Sequence, residues 1–433
     1  MLLKLFYNCG LAGLTLIWLP KFLLGRITGK YKQTVERRLG LKIGSELNEL
    51  RQAPKRVWIH SCSVGETKAA GAFAVELKKR YPSISIVVST TTETGQAEAL
   101  RQMPFADAHF LLPLDFSWVM RRLVRLLRPS LLILVESEFW LNLIREAKMA
   151  HASVVLINGK LSDRSAARFS KVPFFSSPLF SSFDYCCLQT TAYQQSFLAQ
   201  GVASEKIKVT GNLKFDSVIH TLAPHEIARW QEDLGLQAND KLLVLASTHD
   251  QEEESLLNAL LPLLESHPRL KLLVAPRHPP RFDDVAKLMQ KYHLPFMRYT
   301  ERANLNASQK SQSRLILIDT MGQLMNCFQL ASLAIVAGSF IPGIGGHNLF
   351  EPASVGVPVI FGPYVDGQKA YADALVEANG GISLSSENVS SFVSRLLSNE
   401  EERVSMGRCA LDVVNRSRGA VARTLTTLEK FLK

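Results

Sequence analysis

The most constraining feature of this chain is a series of short, unbroken apolar runs, each followed by a turn and then a stretch with helical spacing. The first series runs through residues 57–60, 85–89, 108–113, 131–136, 153–158, 185–189 and 207–210. The second runs through 242–247, 270–275, 315–319, 333–337 and 358–361. A strand with one wet face alternates apolar and polar residues. A continuous run is covered on both faces, which is the state of a parallel sheet between helices. The chain therefore reads as α/β. Its 433 residues call for more than one domain. The polar segment 220–241, which contains Pro224, separates the two series and marks the boundary.

Composition narrows the partners. A hydrophobic content of 47% excludes disorder. A formal charge of +11 favours an anionic partner: nucleic acid, acidic lipid or a phosphorylated substrate. Aromatic residues are only 8% and the basic residues are dispersed, which disfavours nucleic acid. The 6 cysteines show no CxxC pair and no metal-ligand spacing, so reduced thiols in a cytoplasmic setting are expected. Residues 5–24 are mostly apolar, close to the ~20 needed to cross a bilayer. Lys21, Arg26, Lys30, Lys32, Arg37, Arg38 and Lys42 follow, placing the C-terminal side in the cytoplasm. A single anchor, or a helix half sunk in the bilayer, is expected. Residues 167–183 alternate bulky apolar side chains with Arg168 and Lys171, which suits either a membrane surface or a buried helix with a basic flank.

Chemistry-bearing residues recur where the predicted strands end, and ligands bind there in open α/β sheets. After the first strand, residues 61–65 turn into a helix with apolar positions at Ala70, Phe73, Ala74 and Leu77. Glu66 lies in its first turn. It reads either as a charge favoured by the helix dipole or as a general base. Glu136 and Glu138 end one strand; Asn158, Lys160 and Arg164 follow another; Lys214 and Asp216 follow a third. In the second series Arg277 and His278 end a strand and can face a phosphate. After the strand 333–337, the stretch 338–363 reads as a Gly-rich turn over 338–346, a helix over 348–355 and a strand over 358–361; such a turn can cradle a phosphate, with Glu351 placed for a ribose hydroxyl. Residues 300–314 read as a polar surface loop. No Asp-x-Asp pair, P-loop or G-x-S-x-G is found.

Ordered motifs span the chain: SVGET at 63–67, ESEFW at 136–140, LSDRS at 161–165, TGNLKFD at 210–216, STH at 247–249, PRHPPRF at 276–282, DTMG at 319–322 and GGHNLFEP at 345–352. They resemble those of the Kdo transferases of lipopolysaccharide synthesis. The resemblance implies a GT-B fold, two Rossmann-like domains facing a cleft: residues 1–27 as membrane anchor, 28–222 as acceptor domain and 223–433 as donor domain, with the last helix packing back on the acceptor domain. It implies an inverting transferase at the inner membrane. Such an enzyme moves 3-deoxy-D-manno-oct-2-ulosonic acid (Kdo) from CMP-Kdo to a lipid A precursor, one or several units, with no metal and no cofactor.

Carried over by motif, Glu66 is the general base, and Glu136 and Lys214 stabilise the transition state. CMP contacts fall to Pro276, Arg277, Met321, Gly322, Gln323, Asn348, Leu349, Phe350 and Glu351. Departures from the family pattern are Leu141 after the Trp, Lys160 for an arginine, Gln251 for a glycine and Gln323 for a glutamate. Two other readings stand beside this one: a GT-B transferase using another nucleotide sugar, and a non-catalytic membrane-anchored protein that binds anionic lipid.

Overall fold

The computed structural model describes residues 2–27, 34–47, 50, 53, 55–216 and 221–433. It divides into two compact units, Met1–Val218 with Ser417–Lys433, and Ile219–Arg416.

The first unit is built on β1 (Arg56–Ser61), β2 (Ser85–Thr90), β3 (Ala108–Leu111), β4 (Leu131–Val135), β5 (Ser153–Gly159), β6 (Tyr185–Leu188) and β7 (Ile207–Val209). They form a 7-stranded sheet in the order β3-β2-β1-β4-β5-β6-β7. Every pairing is parallel. The continuous apolar runs behave as expected. Val57 and Ile59 of β1 pack with Ala70, Phe73 and Leu77 on one face. Trp58 between them packs with Met120, Leu123 and Leu127 on the other. Each such buried side chain contributes roughly 1.5–3 kcal/mol.

The second unit repeats the plan with β8 (Lys241–Thr248), β9 (Leu270–Pro276), β10 (Phe296–Arg298), β11 (Leu315–Leu317), β12 (Leu333–Val336), β13 (Val359–Phe361) and β14 (Gly381–Ser383). The order is β10-β11-β9-β8-β12-β13-β14, again parallel throughout. Leu243 and Leu245 face one core, and Leu242 and Val244 the other. The short edge strands β10 and β14 escape the sequence reading. Their sequences, FMR and GIS, are too short to show a pattern, and pairing with β11 and β13 makes them strands.

Several expectations are corrected. The helix expected over 348–355 is only Phe350–Ala353. Val355 N–H turns back to the Pro352 carbonyl and Gly356 takes φ 75°, so the chain reverses there. The loop expected over 300–314 carries a 3-10 turn, Tyr299–Asn304, and a helix, Ala307–Gln312, started by a capping box between Asn306 and Gln309. The segment 167–183 is divided: Val172 and Phe174 stay exposed, while its C-terminal part takes the buried alternative. Leu179, Phe180 and Phe183 are in the core, and Phe139, Phe169 and Phe197 close around Phe180.

The N-terminal segment is a helix, Leu2–Ile27. No described helix is long and apolar enough to cross a membrane. Instead the first turns dock on the first unit. Tyr7 and Leu11 pack on its core, and Asn8 Oδ1 accepts from Ser117 N at 3.1 Å and Asn142 Nδ2 at 3.2 Å. Leu5, Phe6, Leu14, Leu16 and Ile17 remain exposed. Of the expected basic flank, Lys30 and Lys32 lie outside the described residues, as does the boundary segment 217–220. All the cysteines are free thiols.

The final helix, Ala420–Leu432, belongs to the first unit and buries Val421, Leu425, Leu428 and Leu432 against the face that carries Phe73. Its N-terminus is capped from afar: Asp216 accepts from Gly419 N at 2.6 Å and from Val421 N. Asp216 of TGNLKFD is thereby a structural residue. Asp216→Ala is expected to destabilise the first unit by about 1–2 kcal/mol. Hydrogen exchange along residues 420–425 should accelerate more than elsewhere in the unit.

Candidate active site

In both sheets the strand order reverses between neighbours, β1 and β4 in the first unit, β8 and β12 in the second. Outside the C-terminal ends of such a pair a crevice opens for ligands. The sequence motifs follow these strands.

In the first unit, β1 runs into the turn that starts the helix Val64–Arg80. Ser63 and Glu66 form a capping box: Ser63 Oγ accepts from Glu66 N, and Glu66 Oε2 accepts from Cys62 N at 2.6 Å and Ser63 N at 3.4 Å. Glu66 thus has the structural role open to it at the sequence level, and that role leaves its other oxygen available. Burial, then Glu138, pushes its carboxyl above the ordinary range, and Glu136 adds to this. The Cys62 N–H and Lys160 pull the other way.

Glu136 follows β4 with φ 63°, a left-handed conformation. Its side chain is 1% exposed. Lys214 Nζ stands 2.6 Å from Oε1, Lys160 Nζ contacts Oε2, and Asn158 Nδ2 donates to Oε1 at 3.2 Å. Burial alone would raise this carboxyl, but Lys214 and Lys160 outweigh it and hold it below the ordinary range. Asn158, at the end of β5, also accepts from Leu213 N at 2.9 Å and so fixes the turn that carries Lys214. The ammonium of Lys214 lies over Gly65, 3.8 Å from where a Cβ would stand. The fold therefore brings Glu66, Glu136 and Lys214 to one edge of the first sheet.

Lys160, at the sequence level a strand-end residue and a replaced arginine with no role assigned, shares Glu136 with Lys214. Asn158 was noted only as a strand-end residue; its bonds join two distant loops. Glu138 accepts from Trp140 Nε1 at 2.6 Å and faces His60 Nε2 at 3.4 Å. His60 offered no local pattern beyond an apolar strand.

In the second unit, the residues expected to hold CMP end β9 or follow β11 and β12, at the same edge of the parallel sheet. Pro276 closes β9 and is buried; Arg277 is exposed and forms no ion pair among the described residues. Arg281, from the same motif, is held by Glu253 at 2.9 Å and Asp250 at 3.0 Å. Met321 is exposed, Gly322 has φ 85°, and Gln323 precedes the helix Leu324–Phe328. Asp319 beside them is structural, accepting from Arg298 Nε at 2.8 Å and Thr300 N at 2.9 Å. Asn348 Oδ1 accepts from Phe350 N at 3.1 Å, and its amide donates to Glu351 at 3.2 Å. Leu349 and Phe350 bury their side chains, leaving only their backbones toward a ligand.

The sequence reading missed the framework of this site. Glu252, 1% exposed, accepts from Gly338 N at 2.8 Å, Phe340 N at 2.9 Å and His249 N at 3.2 Å. It ties the loop after β12 to the loop after β8. His249 Nε2 meets His347 Nε2 at 2.7 Å, with His278 edge-on to His249. Gly338 has φ 71°, and a Cβ there would stand 2.6 Å from the His347 ring, so only glycine fits. Burial, then His249 and Arg277, pushes His347 down to about 4, so its imidazole is neutral at neutral pH and the contact with His249 is set by which ring nitrogen carries the hydrogen.

Two doubly wound parallel units, with the motif-bearing loops at the C-terminal edge of each sheet, define a GT-B-like fold. A glycosyltransferase from Rickettsia africae shares the fold at a TM-score of 0.62 and 12% identity, over 88% of this chain and 99% of that one. Residues 33–217 match the family described as "3-Deoxy-D-manno-octulosonic-acid transferase (kdotransferase)". A 3-deoxy-D-manno-octulosonic acid transferase of Chlamydophila psittaci is 34% identical over 98% of this chain and 96% of its own length. One of Haemophilus influenzae is 31% identical over 93% and 92%. The chain belongs to the 3-deoxy-D-manno-octulosonic acid transferases. It is a glycosyltransferase.

Proposed function

We propose that the protein moves Kdo from CMP-Kdo to a hydroxyl of a lipid A precursor, with inversion and release of CMP, at the cytoplasmic face of the inner membrane. The observation that carries this reading is the pairing at the edge of the first sheet. There a carboxyl with raised proton affinity, Glu66, stands near a buried carboxylate held by two lysines. A sugar hydroxyl must lose its proton as it attacks, and a carboxyl tuned upward takes it more readily, a contribution of ~10²–10⁴-fold. Glu136 holds Lys214 and Lys160 in place, where their ammonium groups can pair with the carboxylate of the acidic sugar as it is transferred.

On the second unit, the uncompensated guanidinium of Arg277 suits the leaving phosphate. Met321, Gly322 and Gln323 offer backbone contacts to the base, and Glu351 suits the ribose. Electrostatic help of this kind needs no divalent ion, so transfer should proceed in EDTA. The exposed apolar residues of the N-terminal helix support an in-plane contact with the bilayer, beside a phosphorylated lipid acceptor.

The test is a product assay. Purified protein receives CMP-Kdo and a tetraacylated lipid A precursor in detergent with EDTA, with UDP-sugars in parallel. Mass increments of Kdo, and none from UDP-sugars, are expected, and the increments count the units added. Protein that binds no CMP and adds no Kdo would overturn the reading.

A further inference from the structure

Cys62, Glu66 and Glu138 converge at the end of β1: a sulfur and two carboxylate oxygens lie within 4.8 Å of one another. Their geometry is prearranged. Glu66 is held through Oε2 by Cys62 N, and Glu138 through Oε2 by Trp140 Nε1. The second oxygen of each carboxylate makes no hydrogen bond among the described residues. Behind Glu138 stands His60, fully buried. Its Nδ1 lies 3.2 Å from the Ser89 carbonyl and 2.9 Å from Ser89 Oγ; its Nε2 has no hydrogen bond and faces Glu138 at 3.4 Å.

We propose that Cys62, Glu66 and Glu138 form a zinc site, with His60 orienting Glu138, and that zinc bound there withdraws Glu66 from catalysis. The donor set selects the metal. One thiolate and two carboxylates suit a borderline ion such as Zn²⁺; Mg²⁺ and Ca²⁺ take oxygen ligands and leave the sulfur unused. Ligand atoms on tetrahedral zinc stand about 3.3–3.8 Å apart, given bonds of about 2.0–2.3 Å. The cluster therefore closes by up to about 1.5 Å, with a fourth position open to water. On binding, the Cys62 thiol loses its proton to solvent and the sulfur donates to zinc; no electrons are exchanged. Because binding releases that proton, affinity rises with pH. The inhibitory consequence rests on Glu66 acting as the base; the binding does not.

The test uses the full-length protein in detergent, freed of metal, titrated with Co²⁺ and then Zn²⁺. The expected result is a thiolate-to-cobalt absorption band that zinc bleaches, and that Mg²⁺ leaves alone. Cys62→Ser should abolish the band and weaken zinc by more than the about 10–100-fold that outer-shell changes cost. Protection of Cys62 from alkylation by zinc in the unmutated protein gives the same readout should the variant fold poorly. A cobalt spectrum without the band, or one indifferent to Cys62→Ser, would overturn the site. Kdo transfer is followed in parallel, as the ratio of rates with and without zinc. Zinc that binds at Cys62 yet leaves the rate unchanged would overturn the inhibitory role, while the base reading stands or falls separately on Glu66→Gln.

Discussion

Glu66→Gln should lower turnover by ~10²–10⁴-fold while CMP affinity is unchanged. The substitution is chosen to separate chemistry from structure. Glu66 has two roles in the same turn, since its Oε2 completes the capping box with Ser63. Glutamine keeps an oxygen for that cap and the side-chain volume, so the helix Val64–Arg80 should start as before. What is lost is the ability to accept a proton from the attacking hydroxyl. The pH profile supplies a second readout. Burial and Glu138 raise the affinity of Glu66 for its proton. Turnover should therefore climb with pH as Glu66 ionises, with an inflection above the ordinary carboxylate range, and the residual activity of the variant should lack that limb. Calorimetric titration with CMP and rates measured from acid to neutral pH would check both. A variant with near-normal turnover would assign Glu66 to capping alone.

Glu252→Ala should destabilise the second unit by about 2–4 kcal/mol. This carboxylate is almost fully buried and receives three backbone N–H groups, from Gly338, Phe340 and His249. Alanine leaves those donors without their acceptor in a site that water does not reach freely. Burial raises the proton affinity of Glu252, while the N–H bonds from Phe340 and Gly338 oppose this. The loss should be concentrated. Amides of residues 338–346 should exchange faster, while those of β9 and β11 keep most of their protection. CMP binding should weaken as well, since the loop after β12 carries His347 and leads into Asn348. A denaturant midpoint equal to that of the unmutated protein would show that the loop holds itself.

Much was legible in the residue pattern. The strands of both sheets that form the cores were visible because each is covered on both faces, which forces an unbroken apolar run. Glu66 stood out because a carboxylate just after a strand and a small-residue turn is a local arrangement. The short edge strands β10 and β14 and the brevity of Phe350–Ala353 were not legible. Three residues carry no period, and Gly356 ends the helical register through its backbone.

The sequence alone determined the α/β class, the two strand series and the side chains that end them, since these depend on neighbours a few residues apart. Only the tertiary structure decided that β4 lies beside β1, although β2 and β3 intervene in the chain, so that Glu136 comes to the edge that carries Glu66. It also decided that Lys160 and Lys214, from loops after different strands, close on one carboxylate, and that His249 and His347 meet. Such pairings rest on strand order and buried charge. They take their energy from groups far apart in the chain, and no short stretch of residues records them.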